Sequence, residues 1–379
     1  MKKSLFILAA ATLVLAGCEK NQPVEENKAL SNQPQEIAFS SYAQTAKRVK
    51  SNAPVQSAIF PTTYTMEIAA YQSSDPTGNY FTKMTYKKDA TAAYWRGWDA
   101  SAGDYAPQYW PLSPATLNFF AISANNVVPT NITIANDLAT ASVAYTAANG
   151  FTATSQSDIM YAFNRGAVTQ DGNTLHFNGD APVNMVFSHA LALINFQIKA
   201  ADAASTAISI YKIELNGANY TGTLAFTNTN ASHLSAGFST ELNWTGTAGA
   251  DNVKVPNIGN ETTPVALTTD YVPANTTAAD AEGNAWAALM VVPTDQKAAS
   301  PVSRGFTTFT IYYKYNNKDY TYTYAPGGYS GEPAAPVLTA VQPGKKYTYQ
   351  ITMTLHEITV APSVTQWDEQ NSENNVDIP

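Results

Sequence analysis

The strongest constraint on the fold is a period of two in the apolar pattern. Between Tyr347 and Leu355, apolar and aromatic side chains occupy every second position and polar side chains fill the alternate ones. This alternation is typical of a half-buried β-strand. Amphipathic windows of helical period are scarce, and short helical turns are expected only near residues 115–126 and 280–290. The pattern therefore predicts an all-β chain.

Frequent turn formers divide the chain into many short strands. Two β-rich runs, at residues 306–315 and 320–324, flank four turn formers at 316–319 and predict a hairpin. Many short strands with frequent turns are typical of antiparallel β-sandwiches. A turn-rich stretch at 179–182 precedes a long apolar run, so we expect one sandwich at 49–182 and a second at 183–379.

Composition excludes several classes of protein. The 379 residues carry a formal net charge of −8, which disfavours a nucleic-acid partner because such a partner requires a basic face. The single Cys excludes a disulfide framework, an iron–sulfur cluster and a Cys-rich zinc site. A chain of this length can bury a large core, so it does not need disulfides for stability.

The sequence carries few signs of catalysis or cofactor binding. The four histidines do not show metal-ligand spacing, and there is no nucleophile elbow, P-loop or dinucleotide fingerprint. Ser188 and His189 are neighbours whose side chains point to opposite faces of a strand, so His189 is interpreted as structural. We expect no cofactor and no enzymatic activity, although the fold could still assemble a catalytic carboxylate pair.

The first residues predict export and lipidation. Lys2 and Lys3 precede a short apolar run that ends in Leu-Ala-Gly-Cys at residues 15–18, which resembles a bacterial lipobox. We therefore expect a lipoprotein signal peptide at 1–17, acylation of Cys18 with chains such as palmitate, and a polar tether after it. The alternative is a soluble secretory signal with an incidental Cys.

A cluster of indoles offers a second interpretation of the first sandwich. Trp95, Trp98 and Trp110 lie among tyrosines and could form a platform on which sugars stack. That interpretation requires all three indoles to be exposed in a row. The favoured alternative is that they alternate between a core face and a sandwich edge.

Several segments, taken in order, resemble the fimbrillin family, the lipoprotein-precursor pilins of type V pili. They are Tyr109-Trp-Pro111, Leu117–Ala124, Asp158–Ala162, Val186–Ile198 with its Phe-x-His-Ala-Leu-Ala pattern, Ile208–Ile213, Tyr220–Leu224, Val291-Val-Pro293, Val341–Tyr347 and Trp367. The resemblance implies two tandem transthyretin-like antiparallel β-sandwich domains without a cofactor or a reaction. It also implies an outer-membrane lipoprotein precursor that becomes part of a cell-surface fimbria and supports adhesion.

The resemblance further implies that a first strand is cut away and that a strand from another subunit fills the groove. Residues 36–42 form a short alternating segment, and Ile37, Phe39 and Tyr42 are its expected anchors. A basic cluster follows it, so cleavage is expected after Arg48, with Lys47 and Lys50 as alternatives. Residues 18–48 would then be the lipidated tether and the removable strand. A solvated charge cluster at a strand end is the simpler alternative.

The donor strand is expected near the C-terminus, where Ile358, Val360, Val364 and Trp367 form a sparse apolar pattern. The same segment could instead be the last strand of the second sandwich, followed by a polar tail. The donor interpretation predicts a stalk subunit with other pilin subunits as partners, both copies of itself and minor subunits. A tip or anchor subunit, with host or bacterial surface receptors as further partners, and a glycan-binding lipoprotein are the alternatives.

Overall fold

The computed structural model describes residues 33–43, 64–72, 79–89, 94–124, 132–135, 140–146, 158–216, 221–228, 240–247, 253–255, 258–273, 288–293, 308–325 and 341–366. The described part is almost entirely β-structure, with two short 3-10 turns at Asn178–Asp180 and Ala204–Ala207. No helix in this part is long and apolar enough to cross a membrane.

The first sheet contains nine strands and most of the described N-terminal half. Its strands are β1 (Phe39–Ala43), β2 (Thr65–Gln72), β3 (Asn79–Lys88), β4 (Trp95–Asp99), β5 (Asp104–Tyr105), β6 (Ala115–Ala124), β9 (Ile159–Asp171), β10 (Thr174–Phe177) and β11 (Val183–His189). The order is β1-β11-β9-β6-β2-β3-β4-β5, with β10 paired to β9. Strand β1 also pairs with β4, so the sheet closes on itself through its first strand.

Strand β6 differs from the helical turn expected near 115–126. It lies in the middle of the first sheet, between β2 and β9. Leu117, Phe119 and Ala121 enter one core cluster, whereas Phe120 and Ile122 enter a second cluster on the opposite face. A strand covered on both faces is apolar at consecutive positions, and such a run does not show the period of two.

Three smaller sheets contain the remaining strands. The second sheet holds β12 (Ala192–Ala200), β18 (Val272–Pro273), β19 (Ala288–Val291), β22 (Lys345–Met353) and β23 (Ile358–Gln366). The third holds β13 (Ile208–Asn216), β16 (Val253–Lys254), β17 (Val265–Ala266), β20 (Thr308–Tyr315) and β21 (Lys318–Tyr324). The fourth holds β7 (Ile132–Ile134), β8 (Thr140–Thr146), β14 (Thr221–Asn228) and β15 (Thr240–Thr247).

The second and third sheets pack face to face through aromatic side chains. Phe196 of β12 meets Phe309 of β20 edge-on at 5.1 Å between ring centroids, and Tyr349 of β22 lies 5.2 Å from Phe309. The expected hairpin is present as β20 and β21, joined by Asn316 and Asn317. Both asparagines have positive φ, as a two-residue type I′ turn requires.

Strand pairing continues past residue 182, where we expected the first sandwich to end. Strand β11, which begins at Val183, pairs with β1 and β9 of the first sheet. Strand β8, from the N-terminal half, pairs with β14 along the fourth sheet. The segment after 182 thus contributes its first strand to the N-terminal sheet. The division into 49–182 and 183–379 remains a prediction.

A buried carboxyl group in β2 should make stability fall as pH rises. Glu67 is 2% exposed, and its Oε1 accepts a hydrogen bond from Thr85 Oγ1 at 2.7 Å. Burial raises the pKa of Glu67, although Thr85 and Lys83 partly oppose the effect. The folded carboxyl group therefore holds its proton more tightly than the unfolded one. Its contribution to stability is present at low pH and is lost as pH rises through the raised pKa.

We expect Glu67→Gln to raise the thermal midpoint at pH 7 and to have little effect near pH 3.5, because Gln mimics the neutral carboxyl group. Glu214→Gln is the matched control. Burial opposes ionisation there as well, but hydrogen bonds with Tyr312 and Lys212 lower the pKa of Glu214 overall. That substitution should destabilise the protein at pH 7 and lose its effect in acid. Thermal unfolding of both variants at the two pH values tests the prediction, and a Glu67→Gln effect that is the same at both would contradict it.

Candidate functional site at the first strand

Strand β1 is the piece that joins the two ends of the first sheet. It runs parallel to β11, with Phe39 opposite Val183 and Ala43 opposite Phe187. On its other side Phe39 pairs antiparallel with Trp95 of β4. Removing β1 would therefore leave two strands, β11 and β4, with unpaired backbone groups facing one groove.

Backbone hydrogen bonds hold the chain just before β1 on both sides. Ile37 N donates to Gln108 O at 2.7 Å, and Trp110 N donates to Gln35 O at 2.9 Å. On the opposite side, Val183 N donates to Ala38 O at 2.9 Å. Residues 35–43 thus form an integral part of the sheet.

Two side chains of this segment fill the core of the first sheet. Ile37 and Phe39 are both 0% exposed. The ring of Phe39 meets Tyr86 edge-on at 4.9 Å and Phe119 edge-on at 5.1 Å between centroids. Edge-to-face contacts of this kind add to the stabilisation from burial alone. Tyr42, the third expected anchor, is in register with Val186, which is 40% exposed.

A guanidinium group holds the start of the segment. Both carboxylate oxygens of Glu36 accept hydrogen bonds from Arg96 Nε, at 2.9 and 3.0 Å, and Arg96 Nη2 lies 2.8 Å from Glu36 Oε2. Arg96 Nη1 also lies 3.1 Å from Asp89 Oδ2, and the guanidinium sits over the ring of Tyr105. These hydrogen bonds raise the pKa of Arg96 further, against a smaller opposing effect of burial, so it stays charged. Sequence reasoning missed this cluster, because Arg96 and Glu36 are 60 residues apart.

The ring of Tyr86 packs against Phe39 of β1, and its buried hydroxyl group has no hydrogen-bond partner among the described residues. Burial, together with the nearby charge of Glu36, raises the pKa of Tyr86 far above its usual range. A buried, unpartnered hydroxyl costs about 1–3 kcal/mol of desolvation. The floor of the groove therefore contains one polar atom that the first strand does not satisfy.

We expect Tyr86→Phe to stabilise the uncut protein by about 1–3 kcal/mol, because the substitution removes only the unpartnered hydroxyl. Tyr80→Phe is the matched control, since Tyr80 donates a hydrogen bond to Tyr109 O at 2.7 Å. It should lower stability by about 0.5–1.5 kcal/mol. Urea unfolding measures both changes. Loss of stability in Tyr86→Phe would contradict the description of this hydroxyl.

The three indoles do not form an exposed row. Trp95 and Trp110 are 2% and 4% exposed. Trp98 is partly exposed, beside Tyr105 and under the ammonium group of Lys87 at 4.0 Å. Trp110 packs over Gly166, where an added Cβ would lie 2.2 Å from Trp110 Cη2. The sugar platform that these residues could have formed is therefore absent from this face.

His189 and Asp158 form a buried pair that sequence analysis did not predict. His189 Nδ1 lies 3.0 Å from Asp158 Oδ1, and both side chains are 1% exposed. The next residue, Ala190, donates its N–H to Ile159 O at 2.8 Å. The pair fastens the end of β11 to the start of β9, next to the strand that carries β1.

The expected donor segment is an edge strand of the second sheet. Strand β23 pairs antiparallel with β22 from Ile358 to Gln366. Ile358 and Val360 pack against the core and are partly buried, whereas Val364 is 44% exposed. Several predicted site residues lie outside the described residues. They are Cys18 with the signal peptide at 1–17, the cleavage candidates Lys47, Arg48 and Lys50, and Trp367.

A family model described as fimbrillin-like matches residues 47–367, which is most of the chain. This chain belongs to the fimbrillin-like family. Family membership places it among cell-surface fimbrial proteins that associate with other fimbrial subunits, rather than among enzymes. No curated protein matches the sequence.

Three solved structures to which this chain is similar are described as fimbrial or cell adhesion proteins. A candidate cell adhesion protein from Bacteroides ovatus is 13% identical, with 90% of this fimbrillin-like chain and 99% of that chain covered, at a TM-score of 0.50. A fimbrial protein from Bacteroides vulgatus is 16% identical, with 88% and 100% covered, at 0.44. The tip fimbrial protein Mfa3 from Porphyromonas gingivalis, with a C-terminal truncation, is 13% identical, with 88% and 100% covered, at 0.37. The likeness to the Bacteroides ovatus protein indicates a shared fold.

Proposed function

We propose that this chain is a stalk-type subunit of a surface fimbria that polymerises by donor-strand exchange after its first strand has been removed. The observation that carries the proposal is the position of β1. It supplies two fully buried side chains and closes the sheet. Yet it lies at the start of the described chain and is joined to β2 only through residues 44–64. A single cut in that connection turns an integral strand into a separate peptide.

Loss of β1 makes the binding of a replacement strand strongly favourable. Burying a side chain such as Ile37 or Phe39 stabilises by about 1.5–3 kcal/mol, so the two together give roughly 3–6 kcal/mol before ordering costs. The unpaired backbone of β11 and β4 also favours binding of a strand, because buried N–H and C=O groups require partners. An extended strand from another copy supplies both, in the mode of β-augmentation. Because donor and acceptor are different surfaces, the contact repeats without closing and forms a filament.

Processing at the N-terminus controls when this exchange occurs. Acylation of Cys18 holds the precursor at the outer membrane, and cleavage after Arg48 releases it from that anchor and from β1 together. The family match supports a boundary here, since it begins at residue 47, after β1 has ended. The mature fimbria then presents the chain at the cell surface, where host or bacterial surface receptors are the expected adhesion partners.

Limited proteolysis of the purified protein beginning at residue 19 tests the proposal. Cleavage near Arg48 should convert monomers into SDS-resistant ladders or fibres, and deletion of residues 357–379 should prevent this. A variant with Lys47, Arg48 and Lys50 changed to Gln should stay uncut and monomeric. A cut protein that remains monomeric at high concentration would show that the stalk role is wrong.

One observation supports a tip subunit as the second candidate. Strand β23 is paired along its whole length with β22, as expected for a folded C-terminal end that is not donated. A tip subunit accepts a donor strand but does not supply one. Mixing the cut protein with a cut variant that lacks 357–379 distinguishes the roles. A tip subunit gives no ladder in either case, whereas a stalk subunit gives ladders that the truncated variant shortens.

A further inference from the structure

The C-terminal edge strand repeats the residue pattern of the first strand. Residues 36–40 read Glu-Ile-Ala-Phe-Ser, and residues 357–361 read Glu-Ile-Thr-Val-Ala. Glu and Ile are identical, an apolar side chain follows two positions after Ile, and a small residue comes next. The pair Glu-Ile also occurs at Glu67 and Ile68, but β2 is held there between β3 and β6. Of the described segments that carry this pair, besides residues 36–43 themselves, only the one that continues into β23 is an edge strand.

We propose that residues 357–364 of a second copy bind in the groove in the register and direction of residues 36–43, with Glu357 bound by Arg96. This inference rests on the proposed strand exchange and adds its register and its specificity contact. Ile358 then takes the position of Ile37, and Val360 takes that of Phe39. Both donor side chains are only partly buried in β23, so full burial in the groove favours the exchanged state.

Arg96 is the group that fixes the register of the donor strand in the groove. In the uncut protein its charge is balanced by Glu36 and Asp89. Removal of residues up to 48 takes Glu36 away and leaves a fork of N–H donors at one end of the groove. A carboxylate binds such a fork with two hydrogen bonds, which adds geometric specificity. Glu357 is exposed in the structure and lies immediately before the first apolar anchor, as Glu36 does.

The backbone of the donor also fits this register. In a parallel pair, the N–H and C=O groups of every second residue point toward the partner strand. Val183 N binds Ala38 O, so residues 38, 40 and 42 face β11, and Ser41 faces away from it. Pro362 takes the Ser41 position and therefore gives up no hydrogen bond to β11, although a proline lacks an N–H.

The proposed register pairs one donor side chain with a larger side chain of β1, and this difference in size provides a test of the register. Val360 is smaller than Phe39, whose ring fills the space between Tyr86 and Phe119. In the proposed register, Val360→Phe restores that ring and should strengthen assembly about tenfold. Val364→Phe is the matched control, because position 364 corresponds to Ala43 and lies past the aromatic pocket. Equal effects of the two substitutions would overturn the assignment of Val360 to the Phe39 slot.

Cysteine cross-linking measures the register directly, because the protein beginning at residue 19 contains no native Cys. Ser40 lies opposite Asn184, and the proposed register places Ala361 at the Ser40 position. After cleavage and mild oxidation, the variant Asn184→Cys with Ala361→Cys should give disulfide-linked ladders on non-reducing gels. Asn184→Cys with Thr359→Cys, or with Ser363→Cys, shifts the partner by two residues, about 7 Å, and should not cross-link efficiently.

The outcomes separate this inference from the proposed function. Ladders that form without the 184–361 cross-link, or that cross-link as well through 359 or 363, overturn the register while strand exchange stands. Failure of every cut variant to assemble overturns both. Glu357→Gln should raise the subunit concentration for half-maximal assembly about tenfold, and it should have no further effect when Arg96→Gln is already present. An equal effect in both backgrounds would show that Arg96 does not bind Glu357.

Discussion

Replacement of Phe39 by Ala is expected to destabilise the uncut protein by about 3–5 kcal/mol, the usual cost of removing a fully buried Phe ring. Phe39 is 0% exposed and lies edge-on to both Tyr86 and Phe119, so the substitution leaves a cavity between two rings. The neighbouring strands β11 and β4 limit how far the site can collapse around it. Urea unfolding of the protein beginning at residue 19 measures the loss.

The same substitution should have no effect on the assembled fibre. Phe39 precedes Arg48 and leaves with the released peptide, so fibres from the cut variant and the cut wild type should have the same thermal stability. Val186→Ala is the control for the uncut protein, because Val186 is 40% exposed on the adjacent strand, and its effect should stay within about 0.5 kcal/mol. A Phe39→Ala variant as stable as Val186→Ala would mean that β1 contributes little to the core.

Replacement of His189 by Ala is expected to cost about 3 kcal/mol or more. It removes the 3.0 Å contact with Asp158 and leaves a carboxyl group that is 1% exposed without its His189 partner. Breaking a buried polar pair from one side is costly because the remaining group stays desolvated. Asp158→Ala should cost a similar amount, and the double variant should cost less than the sum.

The fourth histidine along the chain supplies the control for this pair. His356 is exposed in the turn between β22 and β23, so His356→Ala should change stability by less than about 0.5 kcal/mol. The His189 variant should also weaken the junction between β9 and β11, which forms one wall of the groove. Hydrogen exchange should therefore speed up in β11 more than in β20. A loss of protection equal in both strands would contradict a local role for the pair.

Local patterns predicted local structure well. The alternation predicted from residue 347 onward lies in β22 as far as Met353. Of the four turn formers at 316–319, Asn316 and Asn317 form the tip of the β20–β21 hairpin, and the other two begin β21. His189 was expected to be structural, and it lies buried on the face of β11 opposite to Ser188. These features depend on neighbours within a few positions, which a sequence displays directly.

Contacts between distant segments were the part that sequence could not supply. The Arg96–Glu36 and His189–Asp158 pairs join residues 60 and 31 positions apart, and no spacing rule links them. Strand β6 lacks alternation because both of its faces are covered, so its type was misjudged. The pairing of β11 with β1 also depends on how the whole sheet closes, so the sequence around residue 182 gave no sign of it.

The most direct test of strand replacement is the composition of the SDS-resistant assembly after cleavage at Arg48. Mass spectrometry of the purified fibres should find residues 49–379 and should not find 19–48, with one peptide released for each subunit incorporated. That result would mean that a strand from another subunit has replaced β1 in the groove. Fibres that retain the cut peptide in equal amount would contradict the account, because β1 would then still fill the groove and no neighbouring strand could have replaced it.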